Sequence, residues 1–102
     1  MEENREINAQ VREALADPEA MLIDVRTPEE YASGHIPGSL NVPLENIRAV
    51  WKTGADEDTP LYLYCAFGSR AARAALQLQA LGYARAVDIG GIEDWQGEKV
   101  TD

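Results

Sequence analysis

The 102-residue chain holds one cysteine, Cys65, one histidine, His35, and one phenylalanine. A lone cysteine forms no internal disulfide and supplies no zinc site of several thiolates, and His35 alone leaves no cluster of soft ligands. No metal and no cofactor are expected. Basic residues are also scarce: 9 Lys and Arg stand against 18 Asp and Glu, a net charge of −9. Nucleic acid and anionic membrane surfaces are held through Lys and Arg, so neither is an expected partner. No apolar run approaches the length of a membrane span, and the opening "MEENREINAQ" is acidic and polar where a secretory leader is basic and apolar. A cytoplasmic location is the expectation.

What the chain does hold is ordinary for a soluble globular protein: 45% apolar and 26% charged residues. Residues 1–102 read as a single domain, which at this size buries roughly 60–70% of its unfolded surface. The acid is unevenly spread. Between Thr59 and Val87 there is no Asp or Glu, while Arg70, Arg73 and Arg85 fall there. The neighbourhood of Cys65 is thus locally cationic in an acidic protein, a pattern suited to an anion.

Strand and helix signals alternate along the whole chain. "NAQVREALAD" reads as a helix with Asn8 as cap and Val11, Ala14 and Leu15 on one face. "AMLIDV" is a strand buried on both faces. "TPEEYASG" carries a cap (Thr27), a first-turn proline (Pro28), a capping-box glutamate (Glu30) and a stop (Gly34). "SLNV" follows as a brief strand, and "PLENIRAVWKTG" as a helix with Leu44, Ile47, Val50 and Trp51 facing inward. "LYLYC" is a strand, "SRAARAALQLQALG" a helix ended by Gly82, "AVDIGG" a strand and "IEDWQG" a closing helical turn. Strands separated by single helices predict an α/β fold with a mainly parallel sheet. Binding edges of such sheets lie at the strand C-terminal ends, and Asp24, Cys65 and Asp88 lie at or near those ends.

Cys65 stands where a strand gives way to a helix beginning near Ser69. The intervening amides would form an anion nest reinforced by the helix dipole, with Arg70 closing the ring, and both features favour a thiolate. Between Cys65 and Arg70 lie four residues, Ala66, Phe67, Gly68 and Ser69. Cysteine-dependent phosphatases place one more residue there to cradle a tetrahedral phosphate. The smaller bowl suits one extra sulfur atom carried on the thiol, a persulfide. The bland alternative is a small buried hydrophobe, which is what most free cysteines are.

At this point the chain resembles the single-domain rhodaneses, a family of sulfurtransferases. The resemblance runs from about Ile7 to Trp95 and rests on "LIDVRTPEEYASGHIPGSLNVP", the loop "CAFGSR", the helix "SRAARAALQLQALGY" and "GGIEDW". It implies a three-layer fold with a central parallel sheet of about five strands flanked by helices. It also implies a double displacement in which Cys65 takes the sulfane sulfur of a donor, such as thiosulfate or a persulfide, and passes it to cyanide or a thiol. The amides of Ala66, Phe67, Gly68, Ser69 and Arg70 would stabilise the terminal sulfur, and the Arg70 guanidinium would brace the loop or orient the donor. Asp24 and Arg26 are candidate supporting residues, Asp24 through loop amides and Arg26 through Glu29 or Glu30. His35 is expected to shape a loop rather than act as a base.

Many rhodaneses that use thiosulfate carry a basic residue directly after the cysteine, but here Ala66 and Phe67 fill those positions. An exposed Phe67 suggests a larger or less anionic donor, such as a glutathione-type or protein persulfide, and the expected acceptors include small thiols and a thioredoxin-like protein. Two other readings remain open: a sulfur-carrying or binding module on the same fold without catalysis, and a phosphatase or arsenate reductase. Cys65 is expected as an exposed loop thiol whose replacement leaves folding nearly intact.

Overall fold

In the computed structural model of the chain, which describes residues 7–101, four parallel strands form the middle layer. They are β1 (Met21–Asp24), β2 (Leu40–Asn41), β3 (Leu61–Cys65) and β4 (Ala86–Gly91), in the order β2-β1-β3-β4. The sheet therefore has four strands among the described residues, not five. Among the described residues three α-helices, α1 (Ile7–Ala16), α2 (Pro28–Ser33) and α3 (Ser69–Ala80), and two 3₁₀ segments, Leu44–Thr53 and Ile92–Asp94, complete the frame.

Side chains alternate across a strand, so β3 feeds both cores at once. Leu61, Leu63 and Cys65 point to one face, where they pack with Ile23, Val25, Ile47, Val50 and the small α3 residues Ala71 and Ala74. Tyr64 points to the other face, against Ile7, Val11 and Ala14 of α1 and Ile36, Ile89 and Ile92. The Tyr64 hydroxyl is not left unpaired there. It accepts from the Ile36 amide at 3.1 Å and lies 3.0 Å from Ser39 Oγ. Burial pushes that phenol up from its ordinary pKa, so it stays protonated and able to donate.

Local signals place α2 as expected. The Glu30 amide donates to Thr27 Oγ1 at 3.1 Å and the Thr27 amide donates to Glu30 Oε1 at 2.9 Å, a reciprocal capping box. Three local expectations fail for physical reasons. Asn8 lies inside α1 instead of capping it, and its side chain donates to the Asp94 carbonyl and accepts from the Gln96 amide, tying the helix to the turn that follows β4. Leu15 is 55% exposed and leans over the turn at Gly38. Trp51 is 62% exposed because its segment winds as 3₁₀ with a break at Asn46. A period of three aligns Leu44, Ile47 and Val50 on the core and turns Trp51 away.

Candidate functional site

β1 and β3 pair in register from Met21↔Leu61 to Asp24↔Tyr64, which brings the ends of both strands to the same edge. At that edge the chain leaves Cys65, turns through Ala66, Phe67 and Gly68, and enters α3 at Ser69. Gly68 adopts φ +110°, a conformation that side chains disfavour, and this tight turn aims its amide back at the cysteine. The Gly68 amide donates to Cys65 Sγ at 2.9 Å and the Ala71 amide at 3.4 Å. The first-turn amides of a helix have no partner within it, and here one of them faces sulfur. Of the amides expected at the site, Gly68's reaches Sγ and those of Ala66, Phe67, Ser69 and Arg70 do not. Ala71 was not anticipated, although its first-turn position carries the signal.

Cys65 itself is 1% exposed, which corrects the expectation of an exposed loop thiol. It is the last residue of β3 and still pairs with Gly91, so its side chain belongs to the core on one side and to the amide ring on the other. Phe67, by contrast, is 79% exposed at the crest of the turn. The floor beneath the turn is the end of β4. A Cβ on Gly91 would lie 2.2 Å from the Ala66 carbonyl oxygen, and the Glu93 amide donates to that same oxygen at 3.2 Å. The paired glycines of "GGIEDW" thus permit a close backbone approach whose purpose the sequence did not disclose. Asp88 sits earlier in β4, opposite Leu63, and accepts from the Gly90 amide.

Arg70 turns outward to α2, where it grips Glu30 with two hydrogen bonds of 2.7 and 3.0 Å. The Arg70 guanidinium holds the Glu30 carboxyl down to about 2, and the Glu30 hydrogen bond raises Arg70 in turn. The loop is braced, and the charge of Arg70 is already matched. Arg26 pairs with neither Glu29 nor Glu30. It meets Asp24 through contacts of 2.8 and 3.1 Å, donates to the Gly34 carbonyl at 2.7 Å, and both partners are buried. Residues two apart at a strand end share a face, and this proximity decided the pairing over the helical glutamates. Asp24 also accepts from the Arg26 amide at 2.8 Å, the loop-amide contact expected of it. His35 stacks on Tyr31 at 3.6 Å and bridges to Val100, so it serves the turn before β2. Among the described residues no group of His, Cys, Asp and Glu could hold a metal ion, and no helix is long and apolar enough to cross a membrane.

The sequence pattern of the rhodanese-like domain matches residues 8–98. The chain belongs to that family. It is 34% identical over 97 residues to the thiosulfate sulfurtransferase GlpE of Pseudomonas syringae, covering 94% of this chain and 91% of that one. It is also 34% identical over 86 residues to an adenylyltransferase and sulfurtransferase of Ogataea parapolymorpha, covering 83% of this chain but only 22% of the fungal protein's length. Among solved structures, a rhodanese-related protein of Thermoplasma volcanium superposes with a TM-score of 0.77 at 33% identity, over 97% of this chain and all of that one. This rhodanese-like chain therefore shares its fold with a family whose members include sulfurtransferases.

Proposed function

We propose that this rhodanese-like chain is a sulfurtransferase that moves a sulfane sulfur through a persulfide on Cys65. The observation that carries the reading is the convergence of the Gly68 and Ala71 amides on Sγ at the start of α3. Amide hydrogens aimed at one sulfur, backed by the positive end of a helix, stabilise negative charge there, and the thiolate is the nucleophile. The names of well-covering relatives support the same reaction class.

In the first half-reaction the Cys65 thiolate attacks the outer sulfur of the donor. A bond forms between the two sulfurs while the bond to the rest of the donor breaks and takes its electron pair away, as sulfite from thiosulfate or as a thiolate from an organic persulfide. In the second, an acceptor such as cyanide, a small thiol or a thioredoxin-like protein attacks the carried sulfur and regenerates the Cys65 thiolate. No outside oxidant or reductant enters, and ping-pong kinetics follow. Gly68 shapes the turn, Arg70 fixes its far end through Glu30, and Ala66 and Phe67 present an uncharged outer surface to the donor. Asp24 and Arg26 support the neighbouring loop as a buried pair.

Intact-protein mass spectrometry after mixing with thiosulfate, and separately with glutathione persulfide, tests the proposal. The expected result is a gain of one sulfur atom that dithiothreitol reverses and that Cys65→Ala lacks. Absence of that gain with both donors would refute it.

A further inference from the structure

Charge is unevenly divided among the elements of this chain. Four of its 9 Lys and Arg, namely Arg48, Lys52, Arg70 and Arg73, lie on the 3₁₀ segment Leu44–Thr53 and on α3, where only Glu45 of its 18 Asp and Glu is found. These two elements pack side by side and leave between them hollows of about 510 and 290 Å³. Leu44, Glu45 and Gln77 line both hollows, so they run together as one groove along α3, from Arg73 at one end to Arg48 and Leu81 at the other. Arg73 and Leu81 are about 12 Å apart along the helix axis, at a rise of 1.5 Å per residue.

Arg70, at the head of the groove, is already matched by Glu30. Arg48, Lys52, Arg73 and Glu45 are exposed and form no ion pair or side-chain hydrogen bond with other described residues. Three unmatched cations thus stand against one carboxylate. Apolar surface accompanies them. Trp51, 62% exposed, follows Arg48 by three residues on the same ridge of the 3₁₀ segment, and the Lys52 ammonium lies 5.9 Å from its ring centroid. Leu81, at the far end, is 38% exposed. Tryptophan and arginine beside apolar hollows are the residues on which binding energy concentrates at protein interfaces.

We propose that this groove docks a short acidic segment of another protein. Its carboxylates meet Arg48 and Arg73, and its large apolar side chains enter the hollows beside Leu44 and Leu81 and rest against Trp51. Charge complementarity selects the occupant: a basic segment would face three unmatched cations, and a second copy of the chain would bring a further net charge of −9. A short protein segment ends within the groove, whereas an RNA strand would run on into the field of an acidic chain. The surface uses no atom of the Cys65 turn. It tethers a partner, and it stands or falls independently of the persulfide chemistry.

The test uses the full chain as bait for a phage-displayed library of random twelve-residue peptides. The most enriched peptide, synthesised with a fluorescein label, then serves as the probe in anisotropy titrations. Enriched peptides are expected to carry net negative charge and at least one Leu, Ile or Phe. The probe should bind about tenfold more weakly in 500 mM than in 50 mM salt and should shift the amide NMR signals of Leu44, Arg48, Gln77 and Leu81. Arg48→Glu and Arg73→Glu should each weaken it about fivefold, and Trp51→Ala about tenfold. All three side chains are exposed, so urea midpoints should match the wild type, and the neutral variants Arg48→Gln and Arg73→Gln should show smaller losses in the same direction. A library that enriches neutral or basic peptides, or none, would overturn the proposal. So would acidic peptides whose affinity all three substitutions leave unchanged. A twelve-nucleotide oligouridylate that binds as tightly as the peptide, and is weakened equally by Arg73→Glu, would overturn it in favour of RNA.

Discussion

Arg70 and Glu30, 40 residues apart in the chain, close on each other through two hydrogen bonds of 2.7 and 3.0 Å. The same carboxylate accepts from the Thr27 amide, so one side chain both caps α2 and anchors the start of α3. This pair leads to the first expectation. The folded Glu30 carboxyl lies near 2, below its ordinary 4.5, so the stability it contributes is complete above about pH 4.5 and is lost as pH falls toward 2. Arg70→Met removes the leading cause of that depression. The variant is expected to show a Glu30 titration moved up toward 4.5 by NMR, and a shallower loss of stability between pH 4.5 and 2 in urea melts. A wild-type and variant with parallel acid profiles would deny the pair its role.

Cys65→Ser keeps an acceptor in front of the Gly68 and Ala71 amides and nearly the same volume. Sulfur loading should vanish while the urea midpoint reports a loss of about 1 kcal/mol, from a hydroxyl placed against apolar neighbours. Cys65→Leu should cost more, about 1–3 kcal/mol, because the site is closed on its core side. Equal stabilities for the two variants would mean that Cys65 is looser than its 1% exposure implies.

Gly91→Ala places a methyl against the Ala66 carbonyl and Phe67 Cα, backbone atoms that can move only with the loop. Loading at Cys65 is expected to fall at least tenfold, with a stability loss of about 1–3 kcal/mol from the displaced turn. Gly54→Ala serves as the comparison. Its Cβ would find nothing closer than Met21 Cε at 4.0 Å, so it strains its own turn without touching the loop, and loading should survive.

Asp24→Asn leaves the Arg26 guanidinium buried without its counter-charge. Removing one partner of a buried pair costs about 3–5 kcal/mol, and chemical denaturation should show a loss of that order. Where Asp24→Asn remains folded, the residual loading per folded molecule should stay near wild type, since Asp24 is tied to Arg26 and not to Sγ. A collapse of loading in fully folded protein would give Asp24 a direct part in the chemistry.

The features legible in the sequence are those whose causes lie within a few residues. Thr27, Pro28 and Glu30 announce α2, and "LYLYC" followed by a glycine and Ser69 announces β3, the turn and α3. Partnerships across the fold were less legible. Arg26 meets Asp24 because a strand end places alternate residues together, where the sequence reading pairs it with Glu29 or Glu30. Glu30 was readable as a cap, but its hold on Arg70 depends on how α2 and α3 meet over the sheet. Cys65 reads as an exposed thiol at the mouth of the turn until its pairing with Gly91 makes it a buried last rung of the strand. Trp51 carries the right hydrophobicity for a core, and only the change of winding at Asn46 turns it to solvent.

The Glu93 amide holding the Ala66 carbonyl, with Gly91 pressed beneath it, means that the cysteine turn is gauged from outside itself. A turn lengthened by one residue to the span of a phosphate cradle would have to carry Ala66 away from this clamp. Grafting a longer loop between Cys65 and Arg70 alone would therefore produce a misfit. The transplantable unit is the turn together with Gly91–Glu93, two separated stretches of chain that behave as one part.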